Sequence, residues 1–163
     1  MKSLVLLCVE DEPEVRDALI RDLEPFESIV RIEIAEDVDD ARSVVQSCLD
    51  MGLQIALVLC DHLLPGMNGV DYLVEMNQQS PTVKTRKVLV TGQAGLEDTV
   101  RAVNEANLEH YIAKPWTPEG LHAVVKKQLT DYVIQNVEDL LPYVSVLDGA
   151  RILEALSGRA ADT

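Results

Sequence analysis

The sequence has little positive charge, few aromatic side chains and no long apolar run. It contains 14 Lys and Arg against 28 Asp and Glu, for a formal net charge of −14. Nucleic-acid grooves and anionic membrane surfaces both attract clustered cations, so neither kind of partner is expected. The apolar run Leu4–Val9 is broken at once by acidic residues, which fits neither a signal peptide nor a membrane span and predicts a cytoplasmic protein.

Cysteine is also scarce, with 3 residues in the chain. Cys8, Cys48 and Cys60 do not have the spacing of metal ligands and their neighbours are apolar, so we expect small buried side chains in a reducing compartment. With 163 residues, of which 47% are hydrophobic and only 4% aromatic, the chain can bury one substantial core.

The sequence does contain a regular alternation of strand-like and helical patterns. The predicted strands are Leu4–Val9, Ile29–Ala35, Ala56–Cys60, Lys87–Thr91 and His110–Ala113. A stretch with apolar residues at helical spacing follows each of them. These repeats predict an α/β fold, a parallel sheet with right-handed crossover helices on both faces.

Polar residues stand where four of these strands end. Glu10 and Asp11 follow the first strand, Asp61 follows the third, Thr91 closes the fourth and Lys114 follows the fifth. The carboxyl ends of parallel strands share one edge of the sheet, where ligands bind in open α/β folds. Three carboxylates repel one another unless a cation joins them, and oxygen ligands of this kind suit Mg²⁺. Lys114 can hold a phosphate and Thr91 can donate to a phosphoryl oxygen, which predicts phosphoryl transfer to the Asp61 carboxylate.

Four motifs occur in order along the chain. They are Val9-Glu10-Asp11-Glu12-Pro13, Asp61-His62-Leu63-Leu64-Pro65-Gly66-Met67-Asn68-Gly69, Val90-Thr91-Gly92 and Tyr111-Ile112-Ala113-Lys114-Pro115. From about Lys2 to about Leu129 the chain resembles the receiver domain of two-component response regulators, the phosphoacceptor fold of chemotaxis regulators. The resemblance implies a flavodoxin-like, five-stranded parallel sheet in the order 2-1-3-4-5 with helices on both faces.

The resemblance also implies a role for each site residue. Asp61 would accept a phosphoryl group from the phosphohistidine of a sensor histidine kinase or of a phosphotransfer protein. Asp11 would bind Mg²⁺, or Mn²⁺, directly and Glu10 mostly through water, while the Asp61 carboxylate and the backbone carbonyl of Leu63 would complete the metal site. Lys114 would hold the phosphoryl group. Such a chain is a phosphoprotein of a phosphorelay signal transduction system and not an enzyme, apart from self-catalysed phosphorylation and dephosphorylation.

In the same family, Thr91 and Tyr111 would form a switch pair, in which the hydroxyl moves toward the new phosphoryl group and the aromatic ring turns inward. A charge change at one site would thereby alter the surface of the fourth helix, the fifth strand and the fifth helix. Leu63 and Gln93 occupy positions that tune dephosphorylation in the family. Leu63 cannot orient an attacking water by hydrogen bonding, which predicts slow self-dephosphorylation.

Other side chains near these motifs have simpler interpretations. We expect His62 to point from its loop to solvent, and His110 and His122 to be ordinary surface residues without a phosphorelay role. Trp116 directly follows Lys114-Pro115. It either anchors a partner or covers a local apolar patch.

The chain continues past these motifs, so we expect a receiver domain at 1–130 and an extension at 131–163. Apolar residues keep helical spacing from Pro118 to about Leu141, which gives a helix of roughly 35 Å beside strands of about 17–20 Å. A further helix and a polar tail would follow Pro142. The long helix would therefore present an exposed apolar stripe, which normally marks an interface. The candidate interface residues are Trp116, Tyr132, Val133, Val137, Leu140 and Leu141.

The extension has more than one interpretation. It could fold back on its own domain, pair with a second copy in a homodimer, dock a partner, or be the linker helix of a longer regulator. The favoured function is a phosphorylation-dependent switch of partner binding or dimerisation, with no DNA-binding output in these residues. One alternative is a metal-dependent phosphotransferase or phosphatase, although Leu63 stands where a second general acid would be expected. The other alternative is an interaction scaffold that is not phosphorylated.

Overall fold

The computed structural model describes residues 2–92 and 95–161. The strands in this part of the chain are β1 (Leu4–Val9), β2 (Arg31–Ala35), β3 (Gln54–Cys60), β4 (Arg86–Thr91) and β5 (His110–Ala113). β2 begins later than the sequence predicts, because the N–H groups of Ile29 and Val30 donate to the Phe26 carbonyl at 3.1 and 3.0 Å. These two residues therefore continue a 3₁₀ turn, Glu24–Phe26, and do not join the sheet.

The helices of the described residues are α1 (Pro13–Asp22), α2 (Val38–Asp50), α3 (Gly69–Gln78), α4 (Leu96–Glu105), α5 (Pro118–Asn136) and α6 (Gly149–Ala161). Side chains cap four of them: Asp37, Asn68, Thr117 and Asp148 each accept a hydrogen bond from a backbone N–H, at 2.7, 2.8, 3.0 and 3.2 Å. None of the helices in this described part combines the length and the apolar character that crossing a membrane requires.

All strands are parallel, and their order across the sheet is β2-β1-β3-β4-β5. This order confirms the flavodoxin-like arrangement. Neighbouring side chains along a strand point to opposite faces, so Leu6 packs on the face covered by α1 and α5, and Leu7 on the face covered by α2, α3 and α4. Because the strands are parallel, the carboxyl ends of β1, β3, β4 and β5 lie along one edge of the sheet.

The cysteines are part of this core. Cys8, Cys48 and Cys60 are free thiols, and all three are buried, as predicted. Burial raises the pKa of each thiol, to about 12 for Cys8. A thiol in that condition stays protonated at neutral pH and behaves as a small apolar side chain.

The C-terminal part departs from the predicted long helix. α5 ends at Asn136, well before Leu141, because Val137 adopts an extended conformation with φ −112° and ψ 135°. The chain then turns through a second 3₁₀ segment, Leu141–Tyr143, before α6 packs on α5. Tyr143 and Ile152 belong to the same buried cluster as β1 and α5. The extension therefore folds back on its own domain.

The expected exposed stripe is wrong for most of its members. Tyr132 is 4% exposed, and Val133 and Leu140 are fully buried within the chain, so none of the three is free to contact another molecule. Val137 is half-buried, and Leu141 is 67% exposed. The observation that suggested a homodimer through this helix is therefore largely removed.

Polar contacts fix α6 on α5. One oxygen of the buried Asp131 carboxylate accepts a hydrogen bond from Arg151 of α6 at 2.6 Å, and the other accepts one from Arg86 of β4 at 3.3 Å. Arg159 donates to the Ile134 carbonyl at 2.7 Å. Carbonyls in the last turn of a helix have no partner within the helix, so α6 supplies a donor that the end of α5 lacks.

Candidate functional site

Three carboxylates meet at the carboxyl edge of the sheet. Glu10, directly after β1, is 1% exposed, and Asp61, directly after β3, is 4% exposed. Asp11 is half-buried beside them. Each of the three offers an oxygen, and these oxygens lie within 4.8 Å of one another. The sequence prediction that these residues come together is met by the geometry.

Lys114, directly after β5, bridges two of these carboxylates. Its Nζ donates to Glu10 Oε1 and to Asp61 Oδ2, the second at 3.1 Å. Burial raises the pKa of the Glu10 carboxyl, against the lowering effect of the Lys114 hydrogen bond. Burial also lowers the pKa of Lys114, but its bonds to Glu10 and Asp61 outweigh that cost and raise the pKa above its ordinary value. The ammonium is therefore charged at neutral pH.

Thr91 and Tyr111 also lie together at this edge. Thr91 ends β4 and is buried. The Tyr111 hydroxyl donates to the backbone carbonyl of Thr91 at 3.0 Å, and the Lys114 backbone N–H donates to the same carbonyl at 3.4 Å. The Thr91 carbonyl at the end of β4 thus contacts both Tyr111, which lies in β5, and Lys114, which directly follows β5.

The loop after Asp61 is tightly folded. The Leu63 N–H donates to Asp61 Oδ1 at 3.4 Å, which places the Leu63 peptide beside the carboxylate, while the Leu63 side chain is 52% exposed. A Cβ at Gly69 would lie 1.9 Å from the Asp61 carbonyl oxygen, so only glycine fits there. Gly66 has φ +79°, a left-handed conformation that favours glycine. These two glycines let the loop close over the end of β3.

His62 lies elsewhere than the sequence predicts. It is buried, and its Nε2 lies 3.0 Å from Asp98 Oδ2 in α4. The prediction that it points to solvent is therefore wrong. The sequence could not indicate this contact, because Asp98 lies 36 positions further along the chain and no local pattern connects the two residues. His110 is exposed, as expected, and His122 is half-buried, with its Nε2 donating to the Asp22 carbonyl. Gln93 lies outside the described residues.

Trp116 borders a groove next to the carboxylates. The groove has a volume of about 430 Å³ and lies between α1 and the segment after β5, with Val15, Ala18 and Lys114 among its lining residues. The Trp116 indole N–H donates to Asp22 Oδ2 at 2.9 Å. Trp116 and the site lysine thus line the same groove.

The charges of the site decide what it can bind. Two carboxylates that are almost fully buried and a third beside them exceed the single positive charge of Lys114, so the site attracts a further cation. An all-oxygen donor set of this kind suits a small divalent ion such as Mg²⁺, which proteins bind through one or two carboxylates while it keeps several waters. An ion at that position and the Lys114 ammonium together would attract the oxygens of a phosphoryl group next to Asp61.

Comparisons with known proteins agree with this site. Residues 6–126 match the family model of the response regulator receiver domain. The hydrogenase transcriptional regulatory protein HoxA of Cupriavidus necator is 31% identical over 135 residues, which are 83% of this chain and 26% of HoxA. The phosphate regulon transcriptional regulatory protein PhoB of Escherichia coli is 29% identical over 138 residues, which are 83% of this chain and 56% of PhoB. The chain therefore spans about a quarter of HoxA and about half of PhoB.

Solved structures show the same likeness. A CheY-like response regulator receiver domain protein from Methanospirillum hungatei is 28% identical with a TM-score of 0.70, and the match covers 83% of this chain and 100% of that one. The signal receiver domain of an HD domain-containing protein from Pseudomonas fluorescens is 25% identical with a TM-score of 0.70, covering 81% of this chain and 90% of that one. Motifs, sheet order, site and relatives agree, and the chain belongs to the family of response regulator receiver domains, the phosphoacceptors of two-component signalling.

Proposed function

We propose that this receiver domain accepts its phosphoryl group on Asp61. One observation carries the proposal: the Lys114 ammonium bridges Asp61 and Glu10 at the sheet edge, with Asp11 within ligand distance of both. This contact brings a carboxylate, an ammonium group and an acidic cluster to one point, which supports their proposed roles as nucleophile, phosphoryl-binding cation and metal pocket. Outside this cluster of Glu10, Asp11 and Asp61, no group of three acidic, His or Cys side chains in the described part of the chain is arranged to hold a metal ion.

The transfer itself requires little of the protein beyond positioning. An Asp61 carboxylate oxygen attacks the phosphorus of a phosphohistidine; a P–O bond forms and the P–N bond breaks, leaving its electron pair on the imidazole. Asp61 Oδ1, which among the described residues accepts the long bond from the Leu63 N–H, is the better placed oxygen, since Oδ2 is engaged by Lys114. A bound Mg²⁺ would supply charge neutralisation for the phosphoryl oxygens. Glu10, Asp11, Asp61 and the Leu63 carbonyl are the proposed ligands.

The proposed switch acts through Thr91 and Tyr111. A phosphoryl group on Asp61 adds negative charge and three acceptor oxygens, so the Thr91 hydroxyl and Lys114 are drawn toward it. The Tyr111 hydroxyl is bonded to the Thr91 carbonyl, and movement of the end of β4 therefore changes the environment of the Tyr111 ring. The surface of α4, β5 and α5 would present this change to a partner.

The phosphodonor is proposed to be a sensor histidine kinase or a phosphotransfer protein, since these are the partners of receiver domains. The groove beside Trp116 is the proposed docking surface, because it is apolar and leads directly to Lys114. Transfer would take place in the cytoplasm, the location that the sequence predicts, and the chain would act as a phosphoacceptor and not as an enzyme on a separate substrate. HoxA and PhoB are named transcriptional regulators, so control of transcription by a longer protein is a proposal for the output.

Intact mass spectrometry tests the phosphoacceptor directly. The chain is incubated with Mg²⁺ and acetyl phosphate, next to Asp61→Asn and Asp50→Asn. Asp50 is an exposed carboxylate at the far end of α2, so its variant is a matched control. We expect one added phosphoryl group on the unmodified chain and on Asp50→Asn, and none on Asp61→Asn.

Two results would contradict the proposal. Modification of Asp61→Asn at the normal rate would place the acceptor on another residue. Absence of modification in all three proteins, with metal and donor present, would instead favour the scaffold that is not phosphorylated.

A further inference from the structure

His62 makes a contact that the proposed transfer chemistry does not use. Its side chain is 7% exposed, and its Nε2 lies 3.0 Å from Asp98 Oδ2. A carboxylate only accepts hydrogen bonds, so Nε2 carries the proton and donates it. The other ring nitrogen, Nδ1, is buried without a partner among the described residues. One polar contact, called here the His62–Asp98 latch, thus joins the residue after Asp61 to the first turn of α4.

The backbone side of the latch is fixed to α3. The His62 carbonyl accepts hydrogen bonds from the N–H groups of Leu64 and Gly69, at 3.1 and 2.9 Å. Gly69 is the first residue of α3 and packs directly on the Asp61 carbonyl. His62 is therefore held between the phosphoacceptor and α3, and it cannot follow α4 if that helix moves.

The α4 side of the latch is held much less firmly. Among the described side chains of α4, Ala102 alone is buried, while Val100 and Val103 are 47% and 52% exposed. An ion pair between Arg101 and Asp71 joins α4 to α3 farther along the helix. At the first turn, close to the end of β4, the latch is a polar contact between α4 and the phosphoacceptor loop among the side chains that the structure describes.

We propose that the His62–Asp98 latch holds α4 in its resting position and opens when Asp61 is phosphorylated. The inference rests on the proposed function, in which Thr91 moves toward the phosphoryl group. Only residues 92–95 separate Thr91 from the start of α4, so a displacement of the end of β4 pulls on the turn that carries Asp98. His62 stays with α3, and the two halves of the latch separate.

Linkage gives the size of the expected effect. If phosphorylation opens the latch, removal of the latch favours phosphorylation by the same free energy, since coupling between two sites is reciprocal. A hydrogen bond to a buried charged group accounts for about a tenfold change or more in an equilibrium, and the 46% exposure of the Asp98 side chain reduces the expected change to about five- to tenfold. Without the latch, the chain is expected to be phosphorylated about five- to tenfold more readily, and its α4 is expected to exchange amide hydrogens faster before phosphorylation.

Two variants break the latch from opposite sides. His62→Leu removes the donor and fills the buried position with an apolar side chain of similar size. Asp98→Ala removes the acceptor from a partly exposed position. Glu97→Ala is the matched control, because Glu97 is an exposed carboxylate in the same turn of α4. His62→Gln is the conservative variant, because its amide can still donate to Asp98 and should restore part of the effect.

Amide hydrogen exchange of the unphosphorylated proteins and the phosphorylated fraction at steady state, titrated with acetyl phosphate in the presence of Mg²⁺, are the measurements. We expect faster exchange confined to α4 in His62→Leu and Asp98→Ala, half-maximal phosphorylation of both at a lower acetyl phosphate concentration, and neither change in Glu97→Ala. Equal α4 exchange in all variants would overturn the latch, as would faster exchange spread over β3 and α5.

The two proposals fail separately. Faster α4 exchange with unchanged phosphorylation would refute the coupling between the latch and Asp61. If the unmodified chain accepts no phosphoryl group, the proposed function fails, and the exchange of the unphosphorylated variants still decides whether the latch holds α4.

Discussion

Replacing Lys87 with methionine is expected to change the pH dependence of stability. Lys87 lies near the start of β4, is fully buried, and its Nζ donates to the carbonyls of Thr85 and Val83 at 2.8 and 3.2 Å. Burial lowers the pKa of this lysine from 10.5 to about 8, with Arg86 acting in the same direction and Glu109 opposing it. Methionine is one atom shorter than lysine, keeps an unbranched side chain and removes the charge.

The sign follows from the proton balance. Between about pH 8 and pH 10.5 the folded chain has lost the Lys87 proton while the unfolded chain keeps it, so the free energy of unfolding rises with pH in that window. Below pH 8 the whole cost of burying the ammonium applies. The gap between the two pKa values, at 1.36 kcal/mol per pH unit, corresponds to about 3 kcal/mol. Loss of the two carbonyl bonds costs Lys87→Met about 1–2 kcal/mol at every pH.

The variant should therefore be more stable than the unmodified chain near neutral pH and lose that advantage as the pH rises. Urea unfolding followed by far-ultraviolet circular dichroism at several pH values measures this difference. Lys84→Met is the matched control, since Lys84 is an exposed lysine in the same segment. Parallel stability curves for the unmodified chain and Lys87→Met from about pH 7 to pH 10 would refute the reasoning.

Three further predictions concern the site and the extension. Leu63→Asn places a polar side chain at an exposed position beside Asp61 and should shorten the lifetime of the phosphorylated form, measured by intact mass after removal of the donor; an equal lifetime would contradict the role of Leu63. Lys114→Ala removes a cation that competes with Mg²⁺ for the carboxylates and should tighten Mg²⁺ binding about tenfold or more. The fluorescence of Trp116, the single tryptophan of the chain, measures this binding. Weaker Mg²⁺ binding by the variant would show that the ammonium does not compete. Truncation after Asn136 uncovers apolar residues of the core and should lower the free energy of unfolding by several kcal/mol, measured by urea unfolding; an unchanged midpoint would mean that the extension adds no stability.

Much of the fold followed from short-range pattern. The apolar runs that end at Val9 and Cys60 were predicted as strands and are buried on both faces. The site was predicted for the same reason, because carboxyl ends of parallel strands must meet at one edge. The proximity of Glu10, Asp61 and Lys114 could therefore be predicted without knowing any individual contact.

Two features could not be predicted in this way. The helical spacing of apolar residues continues past Asn136, and spacing alone cannot show that Val137 turns the backbone into an extended conformation. His62 reads as a loop residue, and its acceptor Asp98 is 36 positions along the chain. Contacts of this length depend on how helices pack, which local periodicity does not encode.

The sequence by itself determined the class of fold, the edge at which the carboxylates and the lysine meet and the residues that stand there, since these depend on the order of strands and on where each apolar run ends. Tertiary structure alone decided that the last helix closes on its own domain, that Lys87 is buried among backbone carbonyls, and that His62 reaches α4. The physical reason is the same in each case. Burial and long-range hydrogen bonds are fixed by the packing of distant segments, whereas strands and their ends are fixed by neighbours in the chain.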